Sequence, residues 1–138
     1  MNEKPQDRAS ILIVDDDPDV LADLDTILTN ANYKCHGARD SDAALKAARL
    51  ETPDLILCDI NLDGENGLQL CQELRQQPGL ADVPVMFLSG AQIPDVIRRS
   101  HAAGGTYYLR KPFDPSVLLE LVDKALWIPH LVKARLEV

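Results

Sequence analysis

Pro53-Asp54-Leu55-Ile56-Leu57-Cys58-Asp59-Ile60-Asn61-Leu62-Asp63-Gly64-Glu65-Asn66-Gly67 decides the fold of this chain. Leu55 to Cys58 is an unbroken apolar run, the composition of a parallel strand covered on both faces, and it stops at a carboxylate. Asp63, Gly64, Asn66 and Gly67 are turn formers, so the chain should leave the strand through a loop before the next helix. Asp59 is thereby placed at the C-terminal end of a strand. In open α/β sheets that edge is where ligands bind.

A second run, Ile11-Leu12-Ile13-Val14, ends in Asp15-Asp16-Asp17-Pro18. Two buried strands therefore deliver carboxylates to one edge of a sheet. Asp17 before Pro18 reads as a helix N-cap followed by proline at the first helical position. Asp15 and Asp16 have no such local task. Packed beside Asp59 they would repel one another unless a cation sat among them, and clustered oxygen ligands with open positions suit Mg2+.

The rest of the chain alternates in the same way. From Pro18, Val20, Leu21, Leu24, Ile27, Leu28 and Ala31 recur at helical spacing, ending near Asn30 to Asn32. Tyr33 to Gly37 reads as a second strand, and Asp40 or Ser41 caps a second helix through Leu50, halted by Thr52-Pro53. A third helix uses Leu70, Cys71 and Leu74. The fourth strand is Val83 to Leu88, ending in Ser89-Gly90-Ala91, and a weaker helix is expected from about Pro94 to Ala103. Thr106 to Leu109 is the fifth strand, and Asp114-Pro115 opens a final helix through Leu126. Such alternation predicts a doubly wound α/β domain, a five-stranded parallel sheet sandwiched between helices.

At 138 residues the chain supports one domain with a core of its own. Its formal charge of −8 argues against direct nucleic acid binding, which needs clustered Lys and Arg. Cys35, Cys58 and Cys71 are an odd number without metal-type spacing, expected to be reduced. No stretch approaches the roughly 20 apolar residues of a membrane span, and residues 1–10 are polar, so a cytoplasmic location with no membrane contact is expected.

No GxGxxG follows the first strand and no GxxxxGK[ST] occurs, which removes the usual nucleotide cradles. What remains at the sheet edge is an acidic pocket joined by Ser89, after the fourth strand, and Lys111, after the fifth. Phosphoryl transfer to a carboxylate suits this set: Asp59 as nucleophile, Mg2+ neutralising charge, Lys111 and Ser89 holding the other phosphoryl oxygens.

The motifs Ile-Leu-Ile-Val-Asp15-Asp16-Asp17-Pro18, Asp-Leu-Ile-Leu-Cys-Asp59-Ile-Asn-Leu, Ser89-Gly90-Ala91 and Tyr108-Leu109-Arg110-Lys111-Pro112-Phe113 together resemble a response regulator receiver domain of bacterial two-component systems, over about residues 10–127. The resemblance implies the flavodoxin-like, CheY-like (βα)5 strand order 2-1-3-4-5. It implies Asp59 as phosphoacceptor, Asp15 and Asp16 as the acidic pair binding Mg2+, and Asn61 as the residue whose backbone carbonyl completes the cation's shell. By the same resemblance Ser89 is the hydroxyl switch, Lys111 the phosphate-contacting lysine and Tyr108 the aromatic switch, and the Lys111–Pro112 bond matches one that is cis in the family. The phosphoryl donor is then a sensor histidine kinase or a histidine phosphotransfer protein. The chain departs from the family at Asp63, where many members carry proline.

A phosphorylation-driven switch, catalysing only its own phosphorylation and slow dephosphorylation, is the expected function. Signal output, including self-association as a homodimer, is expected through the face made by the fourth helix, fifth strand and fifth helix. The alternative is an aspartyl-phosphate-forming phosphatase of the haloacid dehalogenase type, but that motif places a second Asp two residues after the acceptor, where this chain has Asn61. Beyond Trp127, Ile128, Leu131, Val132 and Leu136 recur at helical spacing, and Pro129 can begin a new helix, so residues 128–138 are expected to form a tail or the start of a linker.

Overall fold

Alternate residues of each central strand are claimed by opposite layers, which is why these strands carry polar residues only at their ends. Leu12, Val14, Ile56, Cys58, Val85 and Phe87 enter one core cluster; Ile11, Ile13, Leu55, Leu57, Met86 and Leu88 enter the other. The computed structural model describes residues 8–62, 64–90 and 107–137, with side chains as far as 126. In chain order the elements are β1 (Ser10–Val14), α1 (Pro18–Asn30), β2 (Lys34–Ala38), α2 (Ser41–Leu50), β3 (Leu55–Asp59), β4 (Asn61–Leu62), β5 (Glu65–Asn66), α3 (Gly67–Arg75), β6 (Val85–Ser89), β7 (Tyr107–Arg110) and a C-terminal helix (Pro115–Glu137).

The five long strands form one parallel sheet in the order β2-β1-β3-β6-β7, the expected arrangement with the first strand inside the second and the fourth and fifth following the third. Leu24 and Leu28 of α1, with Leu118, Val122 and Ala125 of the C-terminal helix, fill the cluster on one face. Ala44 and Ala48 of α2, with Leu68, Cys71 and Leu74 of α3, fill the other. Phe87 is the largest fully buried side chain among the described residues, and truncating it to Ala would cost about 3–5 kcal/mol.

Helix starts follow the capping chemistry. The Asp17 carboxylate accepts from Asp19 N at 2.9 Å, and Asp40, rather than Ser41, caps α2 by accepting from Ala43 N at 2.8 Å. Asn66 caps α3 through Leu68 N at 2.8 Å. After α1, Asn32 turns left-handed at φ 74°, a conformation Asn tolerates, and the chain enters β2. The Arg75 guanidinium donates to Ala81 O at 2.7 Å and Val83 O at 2.9 Å, pinning the connection from α3 to β6.

Three expectations need correcting. The fourth strand begins at Val85, not Val83: Pro84 has no N–H for the ladder but its carbonyl accepts from Ile56 N at 3.1 Å. The loop after β3 is not irregular, because β4 and β5 pair as a small antiparallel ribbon (Asn61 with Asn66, Leu62 with Glu65). Pro129 opens no new helix; it lies inside the helix running from Pro115 to Glu137, which puts residues 128–137 on a continuation of the final helix. The helix expected over 94–103, the side chains beyond 126 and the substitution at Asp63 lie outside the described residues.

Candidate phosphorylation site

Register brings the acidic residues together. β1 and β3 pair Ile11 with Leu55, Ile13 with Leu57 and Val14 with Cys58, so the next step along both strands sets Asp15 beside Asp59. β6 pairs Leu88 with Asp59 and Ser89 with Arg110, which carries Ser89 and Lys111 to the same edge. Lys111 N donates to Ser89 O at 2.8 Å, and the Lys111–Pro112 peptide is cis.

Carboxylate oxygens of Asp15, Asp16 and Asp59 lie within 4.8 Å of one another. Asp15 is fully buried and Asp59 is 7 % exposed, while Asp16 is half-buried at the mouth. The Lys111 ammonium bridges the two inner carboxylates, 2.7 Å from Asp15 Oδ2 and 3.1 Å from Asp59 Oδ2. Main-chain donors hold the remaining oxygens: Asp17 N donates to Asp15 Oδ1 at 2.9 Å and Asn61 N to Asp59 Oδ1 at 3.1 Å. Each carboxylate is thus fixed in direction from two sides, so little reorientation remains at the moment of reaction.

Burial pushes the Asp59 carboxyl above its ordinary range, and the Lys111 charge opposes it without cancelling it. For Lys111, burial works against the ammonium, but the hydrogen bond and charge of Asp15 and the charge of Asp59 outweigh it and hold the lysine above its usual value. The lysine stays charged throughout the neutral range. The donor set is all oxygen and carries three formal negative charges against one neighbouring cation, a composition that fits a hard divalent ion such as Mg2+.

Against the sequence-based list, Asp15, Asp16, Asp59 and Lys111 converge, with the main chain of Asn61 touching Asp59. Ser89 lies fully buried at the end of β6. Tyr108 is on the opposite face of β7 from Leu109, half-buried against the cluster under α2 and α3.

Two neighbours were missed. Gly67 passes as a turn former in the sequence, yet a Cβ there would overlap the main-chain oxygen of Asp59. Cys58 passes as strand filler, yet its thiol reaches Asp59 O at 3.4 Å and Gly67 O at 3.8 Å. Its hydrogen bond with Cys71, together with burial, pushes the Cys58 thiol well above its ordinary value.

Residues 11–123 match the response regulator receiver domain family. The chain belongs to that family. The receiver domain is 32% identical over 123 residues to protein Rrf1 of Nitratidesulfovibrio vulgaris, covering 86% of this chain and 83% of that protein. It is 40% identical to the DNA-binding dual master transcriptional regulator RpaA of Synechocystis over 84% of this chain and 48% of RpaA. The chemotaxis protein CheY4 of Vibrio cholerae superposes with a TM-score of 0.83 at 28% identity, over 86% of this chain and 99% of that one. The receiver domain spans only 17% of protein RcaC of Microchaete diplosiphon and 25% of the transcriptional regulator NtrC of Klebsiella pneumoniae. Receiver domains are phosphorylation-activated switches of two-component signalling, and that is the function of this chain. Nothing among these relatives supports the phosphatase alternative.

Proposed function

We propose that Asp59 accepts a phosphoryl group from a sensor histidine kinase or a histidine phosphotransfer protein, and that the resulting change is read by partner proteins. The observation that carries this assignment is the convergence of three carboxylates within 4.8 Å with a lysine bridging two of them. Asp59 presents its carboxylate at the strand edge as the nucleophile, while Lys111, already between Asp15 and Asp59, holds the phosphoryl oxygens that replace the lost carboxylate charge. Asp15, Asp16 and Asp59, with the Asn61 carbonyl, would hold Mg2+; when bound it neutralises negative charge on donor and acceptor. The chain thus catalyses only its own phosphorylation and slow dephosphorylation.

Ser89 and Tyr108 are the proposed switch. Ser89 is next to the acceptor's strand neighbour Leu88, so its hydroxyl is within one residue's reach of a new phosphoryl group. Tyr108 pairs in register with Phe87 and is only half-buried, so it has room to move inward. Output through the surface containing β7 and the C-terminal helix, including homodimer formation, follows from that placement. The charge of −8 supports a role without direct nucleic acid contact, and no helix among the described residues is long and apolar enough to cross a membrane, which supports a cytoplasmic protein. Residues 10–127 form the receiver domain in this reading, and 128–138 the tail or linker.

Incubation with a small phosphodonor such as acetyl phosphate and Mg2+ should add one phosphoryl mass, and Asp59→Asn should abolish it. Labelling of Asp59→Asn at the wild-type level would overturn the assignment.

A further inference from the structure

We propose that Cys58 is a positioning residue for Asp59, with Gly67 as the other half of the device: the thiol spans two main-chain carbonyls and holds the Asp59 peptide against the first turn of α3. This rests on the assignment of Asp59 as phosphoacceptor. The sheet ladder ends here. Ile60 N donates to Leu88 O at 2.9 Å, and the chain then turns into the β4–β5 ribbon and comes back at Gly67. The main chain of the acceptor therefore needs support from outside the sheet.

Three contacts supply it. Gly67 N donates to Ile60 O at 2.8 Å. The Cys58 thiol lies 3.4 Å from Asp59 O and 3.8 Å from Gly67 O. The absent side chain of Gly67 is the third, since any Cβ would overlap Asp59 O and crowd Ile60 Cα. The thiol and the bare Cα of Gly67 act on the Asp59–Ile60 peptide and the Gly67 N–Ile60 O bond on the peptide that follows it, so together they fix the main chain from which the Asp59 carboxylate projects.

Cys58 cannot touch the phosphoryl group. Strand alternation sends its side chain into the cluster with Val14, Leu68, Cys71 and Phe87, while the Asp59 carboxylate meets Asp15 and Lys111 on the other face. Its influence passes through the main chain. A thiol also suits the spot sterically: sulfur is large enough to fill the space between strand and helix and carries one weak donor within reach of the two carbonyls and of Cys71. Valine at this position lacks the donor and is bulkier by about one methyl, whereas alanine lacks the donor and is smaller, so the two bracket the size of the thiol.

The test uses the full chain with acetyl phosphate and Mg2+, comparing Cys58→Val, Cys58→Ala and Cys58→Ser. A displacement well under 1 Å at a reacting group lowers rate without abolishing it, so the saturated phosphorylation rate of Cys58→Val should fall about tenfold, with the half-saturating donor concentration unchanged. Cys58→Ser, which keeps a donor, should recover to within about twofold of wild type, although a buried hydroxyl is no better for packing than valine. Rate loss in both Cys58→Val and Cys58→Ala with recovery in Cys58→Ser supports the proposal. A wild-type rate in Cys58→Val or Cys58→Ala, or a Cys58→Ser rate no higher than theirs, overturns it. If Cys58→Val does not fold, Cys58→Ala alone is held to the same two criteria. If Asp59→Asn is still labelled, the phosphoacceptor assignment itself fails; if Asp59→Asn is silent and the Cys58 variants are indistinguishable from wild type, only the positioning role fails.

Discussion

Lys111 Nζ lies 2.7 Å from Asp15 Oδ2, joining residues 96 positions apart in the chain. Asp15 is fully buried, so this lysine is what makes its ionised form tolerable in the core. The same ammonium faces Asp59 at 3.1 Å, which makes Lys111 at once a structural counter-ion and the cation next to the proposed phosphoacceptor.

Lys111→Ala should therefore destabilise the metal-free protein. Breaking a buried pair costs about 3–5 kcal/mol, but the lysine side chain is 22 % exposed, so solvent screening reduces the expected loss to about 1–3 kcal/mol. Mg2+ would bring back positive charge, so the Mg2+-dependent rise in melting temperature should be larger than in wild type. Thermal melts with and without Mg2+ decide this. Equal metal-free stability would show that Asp15 finds its compensation elsewhere.

Asp16 should govern the response to Mg2+ with little effect on the metal-free fold, because it sits half-buried at the mouth of the cluster. A ligand binding only the folded state stabilises it by about 2.7 kcal/mol at a concentration 100 times Kd. Asp16→Ala should lose most of that gain and be at least as stable as wild type without metal, since it removes a repelling charge. An unchanged Mg2+ titration in the variant would exclude Asp16 from the site.

The raised pKa of Asp59 has a definite sign in stability. A group whose folded-state value is raised stabilises the fold below its unfolded-state value, and the contribution is lost as pH rises through the folded-state one. At neutral pH the ionised Asp59 therefore costs stability. Asp59→Asn should be more stable than wild type in metal-free urea denaturation at pH 7, the gap narrowing as pH falls toward the ordinary carboxylate range near about 3.9. A gap that widens on acidification would mean that Lys111 outweighs burial.

Tyr108→Ala should be phosphorylated at nearly the wild-type rate, because the ring packs on the face away from Lys111 and Asp59. Its phosphate-dependent self-association or partner binding should largely disappear, since a partner shifts the switch only by its differential affinity for the two states. Analytical ultracentrifugation with and without phosphorylation measures this. Retention of the full phosphate-dependent gain would make Tyr108 a packing residue.

Removal of residues 128–138 should leave both melting temperature and phosphorylation nearly unchanged. The helix runs on to Glu137, and among its described side chains Leu118, Val122 and Ala125 are the buried ones that anchor it to the core. Unfolding of the truncated chain would place the last turns in the core.

The sequence by itself determined the α/β class, the order of the five sheet strands and of the described helices between them, and which acidic, serine and lysine residues meet at one sheet edge. These were legible because each rests on local chemistry. Ile11 to Val14 and Leu55 to Cys58 are apolar without alternation because both faces are covered; Asp17 and Asp40 precede helices because their carboxylates satisfy free N–H groups. Only the tertiary structure decided the rest. Which carboxylate neighbours which depends on a strand register that sets Asp15 beside Asp59, and on Lys111 crossing from β7 to bridge them. Cys58 and Gly67 look ordinary in sequence, a strand residue and a turn glycine, because nothing local says that α3 returns close enough to touch the Asp59 carbonyl. Residue type follows from burial and capping within a few positions of chain, whereas distance between groups far apart in sequence is settled by how layers pack, and the chemistry at Asp59 depends on that distance.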